Sequence, residues 1–428
     1  MSTSNKLPIE IVECIISQLY QTMPCIAGVA SNSADKSFLE HTSIIDLLKL
    51  RLVNKVWAMA VQPVIYRSLF LRTPWVEGYF MKMWQTSYGF SPFSNLRRLY
   101  LYQLIFRHPG IEGQALWDLS EDCSRQHEYG CVVRGSSWIP MHDASDIIIL
   151  CGRNLEELKF NFAGSVGFSD SLVIAMKQIK KLTTLIIEGT NVRYIGNNHQ
   201  SLIAVLNNAT KLELLSLRLL DLESLEVDAG ALPNLIHLWV TAHPYNLPAI
   251  NSFCNSEGRA IRLLEFSPSF YRREAPEMIL ASKNTLEGLF VNTIPHLIPE
   301  GLRFTSFPKL RLIRTGTFAR SEPPAWLKWP FFRNIEILVI NYRGTKSHWH
   351  IELEQIGGFA SRNKLNLKHM VFTTPSRKDH SDPRLEKFFQ DCGIQCHFEH
   401  RLDHTGLLVR ERCAQSGATV LNVFDCQP

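Results

Sequence analysis

Residues 155–160 (LEELKF), 182–187 (LTTLII), 212–217 (LELLSL) and 235–240 (LIHLWV) repeat one pattern, Leu-x-x-Leu-x-Leu, with Ile, Val, Phe, Met or Thr tolerated at individual apolar positions. Working outward from these four, the same pattern begins at Leu96, Ile261, Leu286, Leu310, Ile335 and Leu367. Successive starts, from Leu96 to Leu367, differ by 59, 27, 30, 23, 26, 25, 24, 25 and 32 residues. All but the first lie near a period of about 20 to 29 residues, which marks a stacked repeat architecture. The first interval is about two such periods, so either a disguised repeat or an inserted loop occupies it. The polar stretch 118–134, carrying Cys123 and Cys131, reads as that loop, and 143–151 as a helix leading into Leu155.

Side chains alternate across a strand, so the last two apolar residues of each motif point to one side and the residue between them to the other. Stacking such strands in parallel gives a sheet with helices or irregular segments, such as 169–179 and 200–207, on its far side. The pattern resembles leucine-rich repeats over roughly residues 96–373. That resemblance implies a solenoid whose parallel sheet lines a concave surface. Eight residues after each start the family often has Asn or Cys, whereas this chain has Ala163, Thr190, Leu220, His243 and Ile294, so the solenoid is expected to be irregular. A non-repetitive α/β domain is the alternative. The residues between the last two apolar positions form one row: Tyr100, Lys159, Ile186, Ser216, Trp239, Glu265, Phe290, Arg314, Val339 and Val371. Trp239, Glu265, Phe290 and Arg314 are expected to lie side by side, about 5 Å apart, as a solvent-facing target-binding patch. The competing expectation packs Trp239 and Phe290 beneath the tail 407–424 or into an irregular core.

The first 71 residues carry a different signal. Leu7-Pro8-Ile9-Glu10 opens an amphipathic segment in which Ile11 or Val12, Ile15 or Ile16, and Leu19 recur at helical spacing. Pro8 suits a first helical turn, where its missing N–H costs nothing. Ser43 with Asp46 starts a second helix, and Asn54 caps a third over 55–61 that Pro63 is expected to end. Three short helices cannot bury this much Leu, Ile and Trp among themselves, so a partner surface is implied. Leu7-Pro8-x-Glu10, Ile15, Leu19, Leu47-Leu48, Leu52-Val53-Asn54-Lys55, Trp57 and Pro63-x-x-Tyr66-Arg67-x-Leu69 together resemble an F-box. The polar span 21–42 departs from that family and reads as a solvated loop inserted between the first two helices. The resemblance implies docking on a Skp1-like adaptor, and through it a cullin-RING ubiquitin ligase complex of SCF type. Leu7, Pro8, Ile11, Ile15, Leu47, Leu48, Val53 and Trp57 are the candidate contacts. A small helical cap on the repeat region is the plainer alternative.

Composition bounds the remainder. At 45% hydrophobic and 20% charged residues the chain forms a core, and 45 Lys plus Arg against 40 Asp plus Glu, without a basic block, gives little support for nucleic-acid binding. No signal-peptide h-region or run of 18 apolar residues is present, so a soluble protein of the cytoplasm or nucleus is expected, with no membrane partner. The 10 cysteines form no small-domain framework and read as thiols. Gly344-Thr345-Lys346-Ser347 resembles the end of a phosphate loop, but Val339 stands where its first glycine would be. Cys392, Cys396, His397, His400 and His404 are zinc-type ligands set too close together to fold a finger between pairs, and a terminal strand over 394–402 after a helix over 383–391 accounts for them. Asn208-Ala209-Thr210 matches a glycosylation acceptor without meaning in the absence of secretion.

The expected fold is therefore α/β: a three-helix F-box over 1–71 with an inserted polar loop at about 21–42, a linker over 72–95, an irregular leucine-rich-repeat solenoid over 96–402 with a loop insertion near 103–142, and a tail or cap over 403–428. The expected role is non-catalytic, without metal or cofactor: a substrate-recognition subunit of a ubiquitin ligase, holding a protein target on its repeats. The alternative role is an interaction scaffold outside ubiquitin transfer.

Overall fold

The computed structural model describes residues 7–23, 25–26, 38–39, 41–71, 95–105, 138–163, 165–189, 198–256, 258–268, 276–294, 298, 300–318, 329–342, 366–374 and 382–399. All but Asn95 of the linker over 72–95, residues 106–137 with Cys123 and Cys131, the residues Gly344 to Ser347, His400, His404 and the tail over 403–428 lie outside these.

Three helices open the chain: α1 (Ile9–Thr22), α2 (His41–Leu50) and α3 (Lys55–Ile65). Val12 and Ile16, four residues apart on one face of α1, meet Leu47 of α2 and Ala60, Val61 and Ile65 of α3 in a closed core, with Leu19, Leu48 and Trp57 packed around it. The Asn54 carboxamide oxygen caps α3, accepting from the N–H groups of Val56 at 2.8 Å and Trp57 at 3.2 Å. Contrary to expectation, Pro63 does not end this helix. The helix runs on to Ile65, because burying Ile65 in the core holds the last turn although Pro63 offers no N–H to the carbonyl four residues back. The inserted span is not simply a solvated loop either. Within it β1 (Cys25–Ile26) pairs antiparallel with β2 (Phe38–Leu39), and both Phe38 and Leu39 are buried. Its Ser, Asn and Asp content conceals this one apolar dipeptide.

The described chain forms two compact units, the first running to Leu235 and including Pro248–Gly258, the second comprising Ile236–Leu247 and the chain from Arg259. In the first unit β3 (Ser68–Leu71), β4 (Arg98–Ile105), β6 (Glu157–Phe162), β7 (Thr184–Gly189) and β8 (Leu214–Arg218) pair in parallel in that order, with β5 (Ile139–Pro140) beside the end of β4. The sheet thus begins one strand before Leu96, inside the stretch assigned by sequence to the F-box. Helices α4 (Met141–Cys151), α5 (Asp170–Met176), α6 (His199–Asn208) and α7 (Leu247–Asn255) belong largely to this unit, α5 and α6 capped by the Ser169 and Asn198 side chains. Leu158, Phe160 and Phe162 of β6 and Leu185 and Ile187 of β7 share one buried face. Gln103 carries an extra residue of β4 at φ 57°, and its N–H donates to the Asn161 side chain; this bulge lets both Leu101 and Leu104 stay on that face.

The second unit runs β9 (His237–Ala242), β10 (Leu263–Pro268), β11 (Gly288–Ile294), β12 (Leu312–Phe318), β13 (Ile337–Asn341), β14 (His369–Thr373) and β15 (Gln395–Glu399), parallel and in chain order. Its helices are α8 (Pro276–Ala281), α9 (Glu300–Arg303) and α10 (Pro383–Asp391). Asp382 caps α10 ahead of Pro383, and Gly393 at φ 75° turns the chain into β15. Gly288 permits the close stacking of neighbouring strands, since a Cβ there would come 2.8 Å from Cδ1 of Leu263. Both units follow parallel α/β architecture, whose crossovers bring helices onto the sheet.

Candidate functional site

Two surfaces correspond to the residues singled out by sequence. On the helices, the structure divides the eight candidates by their exposure. Leu47 is fully buried in the three-helix core and cannot touch a partner, while Leu48, Trp57 and Ile15 are half-buried, the first two against that core. Leu7 and Ile11 on or before α1 are each 49% exposed, Pro8 is exposed, and Val53 in the turn between α2 and α3 is 59% exposed. Sequence reasoning passed over Leu52, which is 86% exposed, and Ile45 and Met59, also exposed. Ile45, Leu48, Leu52 and Ala58 line an open apolar groove edged by Lys49 and Arg51. Leu52 stands within the quoted Leu-Val-Asn-Lys run; what distinguishes it is its place after α2 has ended, where no core remains for it to enter.

The second surface is the row across the strands. Parallel pairing sets Phe70 beside Tyr100, Tyr100 beside Lys159, Lys159 beside Ile186 and Ile186 beside Ser216 in the first unit. In the second it sets Trp239 beside Glu265, Glu265 beside Phe290, Phe290 beside Arg314, Arg314 beside Val339, Val339 beside Val371 and Val371 beside His397. Trp239, Glu265, Phe290 and Arg314 are therefore contiguous. They are not solvent-facing: Trp239 is 1% and Phe290 2% exposed. Phe290, Val339 and Val371 join Leu263, Leu312 and Ile337 in a buried apolar cluster on this face, so the face is itself a packed layer.

Charges within these layers are matched. Glu265 lies 3.5 Å from His237 Nε2 and 3.6 Å from Arg314 Nη1, and burial lowers the Arg314 pKa from its ordinary value while Glu265 opposes that shift. In the first unit Glu188 takes Lys159 at 3.2 Å and Arg218 at 2.8 Å, and the Lys159 ammonium sits 4.3 Å above the Tyr100 ring. These networks can hold strands in register and specify one packing; neither contains a nucleophile with an adjacent base.

A third feature was absent from the sequence reading. The Asn234 side chain donates to the Thr210 carbonyl at 2.9 Å, Asn334 to Phe307 at 3.1 Å and Asn366 to Arg333 at 3.2 Å, each reaching back to the preceding repeat. These Asn residues stand one position before a motif start, rather than eight after it. The recurring Asn-Leu or Asn-Ile at 234, 334 and 366, each directly before a motif start, was the available signal.

Near the end of the chain, burial together with Glu386 and Asp382 pushes the Cys396 thiol up to about 12, and burial raises Cys392 as well. His397 faces His369, whose pKa burial and Lys368 lower, with ring nitrogens 3.3 Å apart. Among the described residues no group of three His, Cys, Asp or Glu side chains is placed to hold a metal ion, and no helix is long and apolar enough to cross a membrane. No family model and no curated protein sequence matches the chain.

Proposed function

We propose that the chain is the target-recognition subunit of an SCF-type ubiquitin ligase, an F-box followed by irregular leucine-rich repeats. The observation that carries the reading is the apolar surface left open on a unit too small to hide it: Leu7, Ile11, Ile45, Leu52, Val53 and Met59 all lie outside the three-helix core. Single exposed apolar residues are ordinary, but six on and between three short helices, with Ile45 and Leu52 lining one open groove, mark an association surface. Three of them, Leu7, Leu52 and Val53, belong to the Leu-Pro and Leu-Val-Asn-Lys-x-Trp motifs that carry the F-box resemblance. In this reading the helices dock on Skp1, and the repeat region holds a protein target near the charged conjugating enzyme. The contribution to rate is the raised effective concentration of the target, with bond chemistry left to other subunits.

Affinity capture of the full chain from cells tests this. Skp1 and a cullin are expected with the wild type and lost with Leu52→Asp combined with Val53→Asp, two exposed positions whose change leaves the core intact. Absence of Skp1 from the wild-type capture refutes the adaptor role and leaves an interaction scaffold.

A further inference from the structure

The inserted span between α1 and α2 places adjacent side chains in two different cores. Leu39 enters the three-helix core, and Phe38, 4% exposed, turns the opposite way onto the face of the first sheet that carries the row. There its ring lies 6.0 Å from that of Phe70 and 5.7 Å from that of Tyr100, while the Arg98 guanidinium sits 4.6 Å above it. Phe70 and Tyr100 stack at 4.5 Å, and Tyr102 closes the group edge-on to both, at 6.0 and 5.9 Å. The charges around the subsite are already neutralised: Arg98 by Glu157 at 3.1 Å, Lys159 by Glu188 at 3.2 Å. A neutral ring is the occupant such a lining favours.

We propose that Phe70, Tyr100, Tyr102 and Arg98 form a subsite for an aromatic side chain of a bound protein, and that Phe38 is its displaceable intramolecular plug. Among the described residues, the backbone of Phe38 pairs through a ladder of two residues per strand, Cys25 with Leu39 and Ile26 with Phe38, whereas β4 pairs along its length with β3 and β6. With Leu39 anchored in the three-helix core, the short ladder lets Phe38 swing out and back without unfolding the helices, so it opens far more often than the sheet beneath it. The proposal rests on the reading that the repeat region holds a protein target, and its test does not involve Skp1.

Hydrogen exchange and N-acetyl-phenylalaninamide, used as the probe on the full-length protein, decide it. In the wild type, the Phe38 and Leu39 amides are expected to exchange at least tenfold faster than those of Leu99 and Leu101. Millimolar probe, but not N-acetyl-alaninamide, should speed Phe38 exchange further by occupying the subsite. Phe38→Ala is expected to bind the probe at least tenfold more tightly than the wild type, and Tyr100→Ala in that background to abolish the gain. Equal protection of Phe38 and Leu99, or wild-type exchange insensitive to saturating probe, overturns the proposal even if Phe38→Ala fails to fold. A folded Phe38→Ala variant that binds no more probe than the wild type overturns it as well.

Discussion

Replacing Trp239 by Ala separates a residue that builds the fold from one kept for a partner. Trp239 is 1% exposed on β9, beside Glu265 of β10 in register. A buried Trp removes about 150 to 250 Å² from water, worth about 4 to 6 kcal/mol at about 25 cal/mol per Å². Partial collapse of the site and residual burial in the unfolded chain reduce this, and measured Trp→Ala changes in cores cluster at about 3 to 5 kcal/mol. Urea denaturation followed by far-ultraviolet circular dichroism should therefore show the second unit losing about 3 to 5 kcal/mol, with the transition of the helices little changed. A loss below about 1 kcal/mol would refute the reasoning, because only a side chain already in water can be removed so cheaply.

Arg314→Ala strands the buried Glu265 carboxylate beside His237 and should destabilise the same unit by about 3 to 5 kcal/mol, measurable in the same denaturation; a neutral outcome would show that Glu265 is hydrated. Gly288→Ala forces a methyl against Leu263 in the packed layer and is expected to cost about 1 to 3 kcal/mol, read as a lower urea midpoint. Asn334→Ala removes the bond to the Phe307 carbonyl and should cost about 1 kcal/mol, whereas an Asn at an exposed position costs less than half of that. Burial pushes Cys151 and Cys396 up to about 12, so at pH 8 an alkylating reagent should label exposed Cys14 before either of them. Because those thiols ionise near 9 when unfolded but only at about 12 when folded, the unfolded state binds fewer protons between these values, and stability should fall as pH rises through that window.

The strand register was legible in the sequence because a period of two and a fixed six-residue motif leave only one residue to face each neighbour: Trp239, Glu265, Phe290 and Arg314 could be aligned without coordinates. The helix over 383–391 was legible for a similar reason, with an Asp cap, a Pro in the first turn and a Gly after the end. The burial of Trp239 and Phe290 was not, because alternation tells which side a residue faces and not whether that side is wet. Phe38 escaped notice because its neighbours are polar, and a dipeptide has no periodicity to detect. β3 was hidden inside Tyr66-Arg67-x-Leu69, where a motif read for docking also supplies the first strand of the sheet. Leu47 and Leu52 illustrate the same limit on the helices: identical side chains five residues apart, one sealed in the core and one almost wholly in water.

The most direct measurement is a calorimetric titration of the purified full-length protein with purified Skp1, wild type against Leu7→Ala combined with Pro8→Ala. Both positions are exposed, so the double variant should keep its melting temperature. The account predicts a one-to-one complex for the wild type and an affinity at least tenfold weaker for the variant, the loss of about 1.4 kcal/mol or more that even one partly buried apolar contact provides. A folded wild-type protein that takes up no Skp1, or a variant that binds it unchanged, would contradict it.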